Sequence, residues 1–184
     1  MIQMHGSVLK FVEAVVNEFK LAKKSTLEIG SYNINGSVRE FFTGKYVGID
    51  LEDGPGVDRV MSSYDLRKEY EAESFDVVVS TEQLEHDPKP WETMHNVKHV
   101  LKPGGFLVVT ARGNGFKRHN EPDYYRFAKE AIGPLFELAD VEPLDVKDDP
   151  ECPGVFAVGM KPKPKATPEA TSYRAGAKRE RNRI

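Results

Sequence analysis

Apolar residues at Val8, Phe11, Val12, Val15, Val16 and Phe19 recur every three or four positions, which predicts an amphipathic helix over residues 7–22. The period then shortens. Thr26-Leu27-Glu28-Ile29 reads as a strand ending at Gly30, Tyr46 to Asp50 as a second strand, and Val57 to Met61 as a third. Between the first two, Ser37-Val38-Arg39-Glu40 has capping-box spacing, with Ser37 as cap and Glu40 reaching back, and predicts a short helix through Phe42. Residues 75–80 and 106–111 differ in kind. Both are apolar almost throughout and rich in β-branched side chains, as strands buried on both faces of a parallel sheet must be. Between them a helix is expected from Pro90 to Leu101, with Trp91, Met94, Val97 and Leu101 on one face. Lys102-Pro103-Gly104-Gly105 then turns the chain back. Strand, helix, strand makes a βαβ crossover. Residues 139–146 and 155–160 read as two last strands joined by a polar turn, an antiparallel pair at the sheet edge. The expected fold is therefore α/β: a doubly wound, mostly parallel seven-stranded sheet with helices on both faces.

After Met160 the periodicity stops, and Pro162, Pro164 and Pro168 alternate with Lys, Ala, Thr and Ser. The expected organisation is one domain over residues 1–160 and a basic, disordered tail over 161–184. Charge divides at the same place. The net charge of −3 conceals a tail with eight Lys/Arg against two Glu, +6, and a body with 18 Lys/Arg against 27 Asp/Glu, −9. Such a tail suits nucleic acid or an acidic protein, but with Tyr173 as its one aromatic it offers little for base stacking. Deleting residues 163–184 is expected to leave the melting temperature nearly unchanged, checked by calorimetry, because the segment supplies no apolar period to a core. The single cysteine, Cys152, excludes an internal disulfide framework, and no constellation has metal-ligand spacing. No apolar run approaches the roughly 20 residues that span a bilayer, and charged residues interrupt the first apolar stretch as no signal peptide allows. No membrane contact and a cytoplasmic location are the expectation.

A doubly wound sheet takes its ligand beyond the carboxyl ends of its central strands. Here those ends carry Glu28, Gly30 and Ser31 after the first strand and Asp50 and Leu51 after the second. An acid about 20 residues past a glycine turn is also the ribose-binding pattern of nicotinamide enzymes. Glu28 separates the two readings: a carboxylate would repel a pyrophosphate at this turn, whereas it suits a cofactor with a positive end and no phosphate. Bland roles stand beside these. Glu28 also suits a salt bridge or a helix dipole, Asp50 a turn cap, and Gly54 and Gly56 a turn around Pro55.

Four segments, LEIGSYNING (27–36), YVGIDLEDGPGVD (46–58), FDVVVSTEQLEHDPKPWETMHNVKHVLKPGGFLVVTA (75–111) and HNEPDYYRF (119–127), occur in one order. With them, residues 24–161 resemble a class I S-adenosylmethionine-dependent methyltransferase of the small single-domain group that carries LEH after the fourth strand. The resemblance implies a Rossmann-like methyltransferase fold and S-adenosylmethionine as cofactor. It implies that Gly30 and Ser31 approach the cofactor and that Glu28 orients its methionine amino group. Asp50, with Leu51 beside it, would accept from both ribose hydroxyls. Ser62, Ser63 and Tyr64 would lie beside the adenine, and Ser80, Thr81 and Glu82 under the methionine end. Two positions depart from the family: Tyr32 stands where many members have a second glycine, and Ser62 where many place an aspartate.

The implied activity is methyl transfer to a nucleophile on an acceptor the sequence does not identify. The loop from Arg112 to Arg126 carries Asn114, Lys117, Arg118, His119, Asp123 and Tyr125 and is expected to meet that acceptor. His86 and His119 fall in loops on the cofactor side and are the candidate catalytic residues. The competing reading is a cofactor-binding adaptor that docks a partner through its basic tail, which tight binding without turnover would reveal.

Overall fold

The computed structural model describes residues 6–34, 36–117 and 122–165, so the expectations for His119 and for the chain after residue 165 lie outside the described residues. Helix α1 (Gly6–Glu18) buries Val8, Phe11, Val12, Val15 and Val16, as its period predicts. It stops earlier than the apolar spacing suggests. Lys20 takes a left-handed conformation (φ 56°), and the Leu21 amide folds back to the Val16 carbonyl at 2.9 Å, which is a Schellman ending that tucks Leu21 into the core.

The strands are β1 (Thr26–Ile29), β2 (Tyr46–Asp50), β3 (Arg59–Val60), β4 (Phe75–Thr81), β5 (Leu101–Arg112), β6 (Glu142–Asp148) and β7 (Gly154–Met160). They form one sheet in the order β3-β2-β1-β4-β5-β7-β6. The five from β3 to β5 run parallel, with Leu27 beside Val47 on one side and Val78 on the other. β7 is antiparallel to both β5 and β6, so the final hairpin does lie at the edge, with its second strand inside. Residues 102–105 belong to β5 rather than to a separate turn. Phe75 pairs with Leu101 and Val77 with Phe106, which leaves them as a bulge.

The expected capping box is a 3-10 turn over Val38–Phe41, where Ser37 Oγ accepts from the Arg39 amide at 3.1 Å. Helices α2 (Leu66–Glu69), α3 (Pro90–Val100) and α4 (Ile132–Leu138) complete the secondary structure. β-Strand alternation divides the core into two layers. Val77, Val79 and Val108 pack with α1, whereas Val78, Leu107 and Val109 pack with Met94 and Val97 of α3 and Phe136 of α4. Contacts continue past the expected domain end, and the Lys163 side chain lies against Gly104. The Lys161 amide donates to the Gly105 carbonyl at 2.9 Å, and Lys161 Nζ reaches the Lys98 and Leu101 carbonyls at 2.6 and 2.9 Å, at the end of α3.

Candidate active site

Parallel strands end together, and at the carboxyl ends of β1, β2 and β4 a cleft of about 910 Å³ opens. That is where an open α/β sheet holds its ligand. β1 delivers Glu28 into its wall and then turns at Gly30, whose φ of 79° favours glycine. A Cβ there would stand 2.6 Å from Gln83 Cγ, so the glycine also lets the loops after β1 and β4 touch. Gly56 (φ 89°) does the same for the Gly54-Pro55-Gly56 turn, where a Cβ would meet the Ser31 carbonyl at 2.5 Å. The glycines of that turn thus serve packing.

Glu28 is 3% exposed and accepts from the Tyr46 hydroxyl at 2.8 Å. Burial pushes its pKa up from its ordinary 4.5 to about 7, against the pull of the tyrosine hydroxyl and of Arg39. Arg39 stacks over the Tyr46 ring at 4.9 Å and pairs with Asp58 at 2.8 Å, so it steadies the tyrosine without touching the glutamate. The salt-bridge reading of Glu28 therefore finds no direct partner among the described residues. Asp50 accepts from the Tyr32 amide at 3.0 Å and from the Leu51 amide at 2.7 Å. It caps the turn, as the bland reading has it, and also faces the cleft. Leu51 lies at the rim, 72% exposed.

Ser62, Ser63 and Tyr64 form the opposite wall. Ser62 caps a 3-10 turn, Ser63 Oγ lies 2.8 Å from Thr93 Oγ1, and the Tyr64 hydroxyl donates to Asp87. Asp87 accepts in addition from Thr93 at 2.5 Å and from the Lys89 amide at 2.8 Å, locking this wall to the start of α3. Thr81 and Glu82 line the cleft. Ser80 lies beneath it, fully buried, with its hydroxyl donating to Gln83 at 3.1 Å.

The acceptor end was the least legible from sequence. Glu82 has a left-handed backbone (φ 54°), a conformation unusual for a glutamate. It is held there by Thr110 Oγ1, which donates to Oε1 at 2.8 Å, and by an ion pair with Arg112 Nε. Arg112, expected to reach toward an acceptor, lines the cleft but is 6% exposed, donates to Cys152 Sγ at 3.1 Å and stacks over Phe116 at 4.2 Å. Glu85 was not anticipated. It is 1% exposed and lines the cleft, and burial raises its pKa and that of Glu82. The LEH spelling was the available signal, since it puts a carboxylate just after an apolar strand. His86 lines the cleft too, its Nδ1 2.7 Å from the Pro122 carbonyl. A carbonyl only accepts, so Nδ1 carries the hydrogen. Tyr125 donates to the Pro88 carbonyl at 2.9 Å and the Tyr124 amide to the Glu85 carbonyl at 2.8 Å, clasping residues 122–125 over the LEH turn.

Comparison with known proteins agrees with this geometry. Residues 29–109 match the family model described as a methyltransferase domain. The chain is 33% identical over 143 residues to a ubiquinone biosynthesis O-methyltransferase from Nitrosococcus oceani, covering 69% of this chain and 56% of that one. It thus spans about half the length of that curated relative. Among solved structures, 1,6-didemethyltoxoflavin-N1-methyltransferase from Burkholderia thailandensis, which holds 1,6-didemethyltoxoflavin and S-adenosylhomocysteine, superposes with a TM-score of 0.69 at 15% identity. The match covers 86% of this chain and 79% of that one. A S-adenosylmethionine-dependent methyltransferase from Methanosarcina mazei gives 0.64 at 15% identity, covering 89% and 100%. These two likenesses carry the fold.

The sheet order and the cleft at its carboxyl edge define a Rossmann-like cofactor-binding domain. With the methyltransferase-domain match across its central strands, the chain resembles the class I S-adenosylmethionine-dependent methyltransferases, a group whose cofactor is S-adenosylmethionine. The residues present fit that molecule. The buried Glu28 carboxylate has the chemistry to pair with an ammonium, Asp50 at the end of β2 has the chemistry to accept from hydroxyls, and the Ser31 hydroxyl in the wall is buried without a hydrogen-bond partner among the described residues.

Proposed function

We propose that this protein transfers a methyl group from S-adenosylmethionine to a nucleophilic atom of an acceptor. The observation that carries the reading is Glu28: a carboxylate 3% exposed, in the wall of a cleft at the end of a parallel strand, where a phosphate-bearing cofactor would be repelled. When bound, the cofactor supplies an electrophilic methyl group on a sulfonium that is already a good leaving group.

The residues of this chain bind and orient. Glu28 accepts from the methionine ammonium, and Asp50, already fixed by three backbone amides, accepts from the ribose hydroxyls. Ser62, Ser63 and Tyr64 flank the adenine, their wall held by Asp87 and Thr93. Thr81 and Glu82 bound the methionine end, with Arg112 holding Glu82 in place. Positioning supplies most of the rate, since a well-aligned pair of reactants gains roughly 7–11 kcal/mol over free encounter. His86 fixes residues 122–125 through the Pro122 carbonyl and thereby shapes the acceptor side.

The test is labelled-methyl transfer into fractionated cell extract, with calorimetry of S-adenosylhomocysteine binding in parallel. Binding accompanied by label in a fraction supports the reading. Tight binding with no label in any fraction overturns it in favour of a cofactor-binding adaptor.

A further inference from the structure

We infer that the acceptor is an amine that enters the cleft as its ammonium ion, and that Glu85 is the carboxylate that holds it and takes its proton. The inference rests on the methyl-transfer reading above and names the substrate class of that same cleft. Its starting point is a charge imbalance. Six carboxylates line the cleft, those of Glu28, Asp50, Glu52, Glu82, Glu85 and Asp87, whereas Arg112 is the one lysine or arginine among the described lining residues.

Partners account for most of these groups. Arg112 is committed to Glu82, to Cys152 Sγ and to the Phe116 ring. Asp87 is occupied by Tyr64, Thr93 and the Lys89 amide, Asp50 by backbone amides, and Glu28 by Tyr46. Glu85 is only half satisfied: the backbone amides of Glu85 and Arg112 donate to its carboxyl, but its Oε2 is buried and has no hydrogen-bond partner among the described residues. A buried carboxylate oxygen without a donor is costly, and such a group in a ligand cleft is satisfied by a donor that arrives with the ligand.

Chemistry selects the donor. A phosphate, carboxylate or phenolate would meet the surplus of negative charge and be repelled. A neutral alcohol would have to become an alkoxide in the same acidic surroundings. An ammonium is attracted while charged, and becomes a neutral nucleophile once a proton leaves it. The step balances as follows. Glu85 takes one proton from the ammonium, the freed nitrogen lone pair forms a bond to the methyl carbon, and the carbon–sulfur bond breaks with its electrons on sulfur. The methylated amine leaves as a cation, and Glu85 returns its proton to water. Burial raises the affinity of Glu85 for a proton, which suits it to this exchange.

The test uses the full chain, methyl-labelled S-adenosylmethionine and a small-molecule cell extract, with labelled products sorted by charge. Expected is label in products that are cationic at neutral pH and become extractable into solvent once deprotonated. Label confined to neutral ethers or base-labile esters overturns the inference and leaves methyl transfer standing; no label at all overturns both. Glu85→Gln is expected to lower labelled-amine formation about a hundredfold, the lower end for a general base. Its affinity for S-adenosylhomocysteine, read by calorimetry, should stay within about twofold, which also reports folding. Glu85→Asp should recover part of the transfer. Undiminished transfer by Glu85→Gln would remove Glu85 from the reaction.

Discussion

Replacing Asp50 with alanine is expected to weaken binding of S-adenosylmethionine and S-adenosylhomocysteine by about 10- to 150-fold. Hydrogen bonds to a charged group contribute about 1.5–3 kcal/mol, and every 1.4 kcal/mol is a factor of ten. Position adds to the effect. Asp50 Oδ2 also accepts from the Tyr32 amide at 3.0 Å, so its loss frees the loop after β1 as well as the ribose contact. Asp50→Asn removes the charge but keeps one of the two oxygens, which can still accept from the Leu51 amide while the Tyr32 amide loses its acceptor. Calorimetry should rank the parent tightest, Asn intermediate and Ala weakest. Equal affinity in all three would place the ribose elsewhere.

The second large effect belongs to Glu28 and is read through pH. Its folded pKa of about 7 lies above the 4.5 it has when unfolded. A raised carboxyl binds its proton more tightly in the folded chain, so its contribution to stability is full below pH 4.5 and is lost as pH rises through about 7. At 1.36 kcal/mol per pKa unit the loss is on the order of 3 kcal/mol. Glu28→Gln cannot ionise and keeps an oxygen for the Tyr46 hydroxyl. Denaturation of both proteins across this range should therefore show the variant gaining on the parent up to about pH 7, then a plateau. A constant difference would mean that Glu28 ionises in the fold as freely as in water. Cofactor affinity should move the opposite way. An ammonium needs the ionised carboxylate, so binding to the parent should weaken below pH 7, and the variant should lack that share of the slope.

These two residues were legible in the sequence for the same reason. Each sits where an apolar run stops, and a charge at such a point has a strand to position it and an open end to face. The central strands were legible because runs such as Val77-Val78-Val79 leave no solvated face. What escaped was long-range pairing. Arg112 reads as a free cation on a loop, because nothing local says that Glu82, Cys152 and Phe116 will converge on it. Ser80, which the resemblance puts under the methionine end, is turned beneath the cleft toward Gln83 by strand alternation, a partner nothing local announces. The early stop of α1 escaped because it depends on Lys20 adopting a conformation usually given to glycine.

The place of β7 between β5 and β6 has a consequence for synthesis. During translation β5 is complete about 40 residues before β7 begins, so its open edge, including Leu107 and Val109, stays unpaired for a few seconds at ~5–20 residues per second. An unpaired apolar edge is a template for pairing with another chain. The nascent chain is thus exposed to aggregation between the completion of β5 and the arrival of β7, which closes that window by inserting beside β5.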